Sequence, residues 1–139
     1  MIQPGITDSY ALELYRGVHR EADRYQIALY TEQATLSRET TAYTREGEVS
    51  PSGDYVPGGQ ALQRFRASLI DGVACLEWTV HPTWKQVTCA TRGALIYNAT
   101  RGGASVAVLD FGAVVTATRG RFTVVLPPSG STTALIRSV

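Results

Sequence analysis

Residues 62–80 read LQRFRASLIDGVACLEWTV. Two strand-like runs, Leu62 to Ile70 and Val73 to Val80, flank Asp71-Gly72. Asp-Gly is a two-residue turn whose backbone twist matches that of paired strands, so a hairpin follows. A two-residue turn also fixes the register. Phe65 then faces Trp78, Ala67 faces Leu76 and Leu69 faces Ala74 on one side of the ribbon. Arg66 faces Glu77 and Ser68 faces Cys75 on the other. One face is apolar and the other carries an opposite-charge pair, and a slip of one residue would turn Arg66 toward the core.

Working outward, other strands follow from the same alternation. Tyr25 to Tyr30 is a first strand. Beyond the hairpin, Pro82 breaks the chain. Gln86 to Thr91 is strand-like and continues into Arg92–Tyr97 through a bend at Gly93. Asn98 to Gly103 reads as a turn, with Gly102 and Gly103 supplying positive φ. Ser105 to Phe111 is nearly all apolar, as in a strand buried on both faces. Ala113–Thr118 and Arg121–Leu126 read as a second hairpin around Arg119-Gly120. Pro127-Pro128-Ser129-Gly130 reads as a turn, and Ser131 to Val139 as a last strand. On the N-terminal side, Thr7 or Asp8 is a helix N-cap, and helical spacing runs from there roughly to Arg20, placing His19 near the helix end. Glu32 to Glu39 is polar around Leu36 and fits one helical turn. The expected fold is mainly β: an antiparallel sandwich, jelly-roll-like, or a barrel, with about eight strands and one short N-terminal helix. The size suits one domain, residues 1–139.

Composition narrows the partners. The net charge is +1, from 13 basic and 12 acidic residues, and only 18% of residues are charged. No basic field argues for nucleic acid. Lys85 is the one lysine; the other basic residues are arginines, favoured at protein interfaces and by arginine-rich codon usage alike. No run is long and apolar enough for a membrane span. The N-terminal MIQPGITDSYALEL lacks the pattern of a secretory signal, so synthesis in a reducing cytoplasm is expected, with Cys75 and Cys89 reduced in the core. Asn98-Ala99-Thr100 matches a glycosylation sequon but reads as part of the turn.

The chemistry-bearing residues form no recognisable catalytic pattern. Cys75, His81 and Cys89 lack metal-ligand spacing and sit on strands without an exposing elbow. Glu46, Glu48 and Asp54 are carboxylates on one loop, but nothing makes them converge as an acid–base pair, and solvation or pairing with arginine is expected. Gly58-Gly59 and Gly102-Gly103 do not precede helices, so no phosphate cradle is expected. Arg64, Phe65, Arg66 and Trp84 interleave charge and aromatics as on a single-strand nucleic-acid platform, against which the neutral balance speaks. No enzyme, cofactor or metal is expected.

The loop, residues 40–61, is the anomaly. It is polar and Gly/Pro-rich, yet it carries Tyr43 and Tyr55. Extended, it could reach about 70 Å at ~3.3 Å per residue, against a domain radius of gyration of about 14 Å. It is either an arm that contacts a neighbour or a lid over its own sheet.

A resemblance enters here. Arg24–Tyr30, Ala34-Thr35-Leu36, Thr40–Thr44, Gly47–Ser50 and Gly58–Leu62 resemble, in this order, a family of small structural proteins of tailed bacteriophages. Thr91–Asn98, Val106–Gly112 and Phe122-Thr123-Val124 continue the likeness, which spans roughly Tyr10 to Ile136. The chain departs at Pro51, at Asp54 and in its arginine-rich 63–66 stretch. The resemblance implies a non-enzymatic virion component made in the bacterial host cytoplasm. It suits a capsid decoration, or cement, protein that binds the outer surface of the major capsid protein shell as a homo-oligomer, dimer or trimer. A head–tail connector, completion or tail protein is the alternative, and a cell-wall glycan hydrolase accessory a further one. Tyr43, Tyr55, Arg64, Arg66 and Trp84 are the candidate interface residues.

Overall fold

A computed structural model describes residues 1–70, 72–126 and 136–138. The fold is mainly β and antiparallel, with one α-helix among the described residues. The elements are β1 (Gly5–Ile6), α1 (Asp8–Tyr15), β2 (Tyr25–Tyr30), β3 (Gln60–Ala61), β4 (Gln63–Ile70), β5 (Val73–Val80), β6 (Thr83–Asn98), β7 (Ala104–Thr123) and β8 (Ile136–Ser138). A larger sheet has the order β1-β7-β6-β2-β3, and a smaller one the order β4-β5-β8.

The hairpin has the expected register. Phe65 pairs with Trp78, Arg66 with Glu77, Ala67 with Leu76, Ser68 with Cys75 and Leu69 with Ala74. Gly72 has φ 78°, whereas Asp71 lies outside the described residues. Only the base of the apolar face is buried. Trp78 and Phe65 pack against Tyr25, with ring centroids 5.4 and 6.2 Å away, while Leu69 is 74% exposed. The expectation that Leu69 faces the core therefore fails, because the larger sheet does not extend under the hairpin tip.

β6 and β7 form the backbone of the larger sheet. They are 16 and 20 residues long and pair from Asn98↔Ala104 to Thr83↔Thr123. The connection holds Gly102 and Gly103 at φ 68° and 81°, as expected. The second hairpin around Arg119-Gly120 is not formed. A two-residue type I′ turn needs positive φ at both central residues. Arg119 has φ 47° but Gly120 is not in that region. The chain keeps going and bulges instead: Gly120 pairs with Val87, and Arg119 N–H donates to Thr88 Oγ1 at 3.0 Å. A second irregularity sits between Gly93↔Asp110 and Thr91↔Val115, where Gly112 has φ 83°. Both bulges lie on the edge of β7 beyond its short pairing with β1, where bulges discourage unwanted strand addition. The expected turn at 127–130 and most of the expected last strand lie outside the described residues, of which Ile136–Ser138 pairs with β5.

The helix begins where expected. Thr7 caps it, its Oγ1 accepting from Tyr10 N–H at 3.3 Å. It stops earlier than helical spacing implies. Gly17 adopts φ 70°, and Val18 N–H reaches back to Glu13 O at 3.1 Å, a Schellman-type stop. His19 is thus past the helix. Residues 32–39 form turns rather than a helical turn. There Leu36 bridges Ile2, and Gln3 N–H donates to Leu36 O at 2.8 Å.

Both faces of the larger sheet are covered. On one side Ile27, Leu29, Ile96 and Val106 meet Trp78, Trp84, Tyr55 and Leu126. On the other, Ala28, Tyr30, Leu95, Tyr97 and Val108 meet Ile2, Ala34 and Leu36 from the N-terminus and the segment after β2. This explains why β2 is buried on both faces, all but half-buried Gln26, instead of alternating. Each large apolar side chain so placed contributes roughly 1.5–3 kcal/mol.

Candidate functional site

The loop between β2 and β3 is fastened to its own sheet along its whole length, so the lid is the observed form. At its start, Ser105 N–H donates to Thr41 O and Tyr43 N–H to Gly103 O, both at 2.9 Å. Val49 N–H then donates to Leu29 O at 3.0 Å. Further on, Asp54 and Gln86 exchange two bonds: Asp54 N–H to Gln86 O at 2.7 Å, and Gln86 N–H to Asp54 Oδ2 at 2.9 Å. Ser52 Oγ accepts from Thr88 N–H at 3.1 Å. These last contacts satisfy the edge of β6 beyond the end of β2, so Asp54 acts as an edge cover.

Glu48 is the centre of the fastening. Its side chain is fully buried and accepts three bonds: from Tyr43 O–H at 2.6 Å, Tyr55 O–H at 2.6 Å and Gly58 N–H at 2.8 Å. The phenol oxygen Tyr55 Oη in turn accepts from Leu29 N–H at 2.9 Å, which ties the carboxylate to β2. Arg45 Nε lies 3.7 Å away on an exposed side chain, so neutral donors carry most of the stabilisation. Burial first, and then the Glu48 carboxylate, push the phenols of Tyr43 and Tyr55 well above their ordinary range, so both stay protonated donors. Tyr97, pushed up to about 12 by burial and by Glu48, donates to Gly58 O at 2.5 Å. Of the expectation that Glu48 is solvated or paired with arginine, the pairing is present, to Arg45, but the carboxylate is buried rather than solvated. Glu46 is exposed and Asp54 turns to β6, so the three carboxylates do not share a cleft.

The candidate interface residues fall into two groups. Tyr55 and Trp84 are 1% and 2% exposed and pack on each other with ring centroids 5.5 Å apart, so the folded chain does not present them to a partner. Tyr43 is half-buried, its ring stacked on Tyr97 at 4.8 Å. Arg64 and Arg66 are exposed, and Arg66 is ion-paired with Glu77. Their aromatic neighbours point inward, so the interleaving seen in sequence does not make a stacking platform.

A second polar cluster, unseen in the sequence, ties the turn after α1 to the β6–β7 connection. The side chain of His19 is 1% exposed, with Nε2 2.9 Å from Glu13 Oε1 and Nδ1 3.0 Å from Asn98 Nδ2. A carboxylate only accepts, so Nε2 carries the proton and Nδ1 accepts from Asn98. Asn98 is held in this orientation from both sides: its Oδ1 accepts from Thr100 N–H and its Nδ2 donates to Asp23 Oδ2. The sequon asparagine is therefore fully engaged. Arg101 closes the cluster on Asp23 at 3.0 Å. No sequence signal pointed to this cluster, because its hydrogen-bonded partners lie as far as 79 positions apart.

Asp23 yields a pH prediction. Burial works against its charge, but hydrogen bonds from Asn98 and Arg101 more than offset that and hold the carboxyl at about 2. The folded value is below the unfolded one. Asp23 therefore contributes stability above pH ~4, and this is lost as pH falls through about 2. Asp23→Asn should cost roughly 1 kcal/mol at neutral pH and flatten the decline between pH 4 and 2. Thermal denaturation across that range tests it; equal slopes for both proteins would refute it.

The histidine and cysteine reading is also resolved in part. His81 Nδ1 accepts from Leu126 N–H at 2.9 Å, and Cys89 is buried with its thiol pushed up by desolvation. The side chain of Cys75 lies outside the described residues. Among the described residues no group of three or more His, Cys, Asp or Glu side chains is arranged to hold a metal ion. Among the described residues no helix is long and apolar enough to cross a membrane.

The chain matches no family model, no curated protein and no solved structure. The most heavily connected groups, Glu48, Tyr43, Tyr55, Tyr97 and Gly58, serve to close the loop onto the sheet.

Proposed function

We propose that this chain is a structural protein of a tailed-phage virion, acting without turnover, and that it binds the outside of the capsid shell as a decoration protein. One observation carries the reading. The segments that resemble phage structural proteins are distant in sequence, yet Ile27–Tyr30, Tyr43, Glu48, Gly58-Gly59 and Tyr97 meet in a single fastening of loop to sheet. These segments thus belong to one structural unit of the chain, which supports reading them together. A shell protein works by geometry: a stiff body laid across subunit junctions adds buried area that resists the outward strain of packaged DNA. A closed lid serves that role better than a free arm, since a rigid surface loses less conformational entropy on binding.

Quantifying the chain in purified particles tests the proposal. On the order of hundreds of copies per particle is the expected result. About six or twelve, as in a symmetric ring, would overturn the decoration role in favour of a connector. Absence from purified particles would overturn the virion reading altogether.

A further inference from the structure

The helix α1 buries little of itself. Tyr10 is its one fully buried side chain, and Glu13 turns to His19. The opposite face carries Asp8, Ala11, Leu12, Tyr15 and Arg16, spaced i, i+3, i+4, i+7, i+8, which makes one continuous stripe. The whole stripe is exposed: Leu12 is 51% and Tyr15 94% accessible. An exposed leucine and tyrosine side by side on a helix are unusual, because a short helix gains its stability mainly by burying an apolar face.

The ends of the stripe have opposite charge. Asp8 stands at the start, in a loose exposed contact with Arg38 at 3.5 Å, and Arg16 stands at the end with its side chain in solvent. The stripe is therefore complementary to itself in antiparallel orientation. With a two-fold axis through Leu12, Asp8 of each copy faces Arg16 of the other. The Ala11, Leu12 and Tyr15 side chains then fill the centre. We propose that this stripe is an isologous contact through which two copies of the chain pair. A parallel pairing would set like charges together at both ends, so the charge pattern selects the antiparallel one.

The stripe is about 12 Å long. Such a contact covers a few hundred Å2 per partner, less than the roughly 800 Å2 of a standard interface. The dimer is accordingly weak in dilute solution, with Kd roughly micromolar to millimolar. On a particle carrying many copies the local concentration would raise its occupancy. Only that last point rests on the virion reading.

Sedimentation of the purified full chain from about 10 μM to about 1 mM tests the pairing. Concentration-dependent dimer is expected, and Leu12→Glu should weaken it by about tenfold or more. Asp8→Arg and Arg16→Asp should each stay monomeric where the wild type pairs. Mixed in equal amounts they should recover dimer, because one stripe is then wholly basic and the other wholly acidic. Circular dichroism confirms that each variant is folded. A wild type that stays monomeric throughout, a dimer indifferent to Leu12→Glu, or folded charge variants that do not pair when mixed would each overturn the proposal. If the wild type is monomeric and Leu12→Glu instead releases the protein from particles, the stripe serves another partner and the pairing is likewise overturned. Copy number in particles is a separate measurement, so failure of the dimer and failure of the virion reading are distinguishable.

Discussion

Glu48→Ala should lower the stability of the protein by about 3–5 kcal/mol, a large share of the 5–15 kcal/mol typical of a domain. The substitution does more than remove a charge. Tyr43 O–H, Tyr55 O–H and Gly58 N–H all lose their acceptor at once, and Tyr55 and the carboxylate site are sealed from water. Each buried donor left unpaired costs roughly 1–3 kcal/mol. Rearrangement offers little relief, because Tyr55 is already held by Leu29 N–H and packed on Trp84. Glu48→Gln keeps the shape and one carbonyl acceptor but turns an amide N–H2 toward a phenol, so an intermediate loss is expected. Urea denaturation measures both variants. Hydrogen exchange should show residues 43–58 opening first in each. A loss below about 1 kcal/mol for Glu48→Ala would mean that the carboxylate does not fasten the loop.

Gly59→Ala should be at least as damaging, for a reason independent of charge. Gly59 has φ 78°, and a Cβ there would lie 1.7 Å from Ile27 O and 2.9 Å from Ala28 Cα. Those atoms belong to β2, which is hydrogen-bonded to β6 on one side and β3 on the other. Backbone so held cannot retreat, so the loop must lift and release the layer it covers. A loss of about 4 kcal/mol or failure to accumulate as folded protein is expected. Gly102→Ala provides the control. Its φ is 68° but no atom lies within 4 Å of the added Cβ, leaving only the left-handed backbone cost of roughly 1–2 kcal/mol. Melting temperatures of the two variants decide the matter. Equal shifts would show that the close approach of Gly59 to β2 carries no energetic weight.

These two positions also mark where the sequence is legible and where it is not. The 62–80 hairpin could be read to the residue, because a two-residue turn and period-two alternation leave one register. An N-cap at Thr7 or Asp8, of which the fold uses Thr7, and the glycine turn after Asn98 are legible for the same reason: the deciding groups lie within a few residues. Arg119-Gly120 carries a similar local signal, yet the chain does not turn there. The long β6 already supplied a partner for residues 115–123, and continuing that ladder satisfied more backbone groups than turning back. The helix is shorter than its spacing implies, because helical spacing persists past Gly17, where the backbone leaves the helical region.

The sequence by itself determined a mainly β, antiparallel chain, one exact hairpin register, one capped helix and a neutral surface. Each is set by nearest neighbours or by composition. Only the tertiary structure decided that the 40–61 loop is a lid, that Glu48 rather than a tyrosine is its key, and that Tyr55 and Trp84 are core residues. Whether a carboxylate is buried depends on donors brought to it from elsewhere on the loop and the sheet. Whether a glycine is essential depends on how closely a distant strand approaches it. Neither quantity exists until the chain has closed on itself, so no local pattern can encode it.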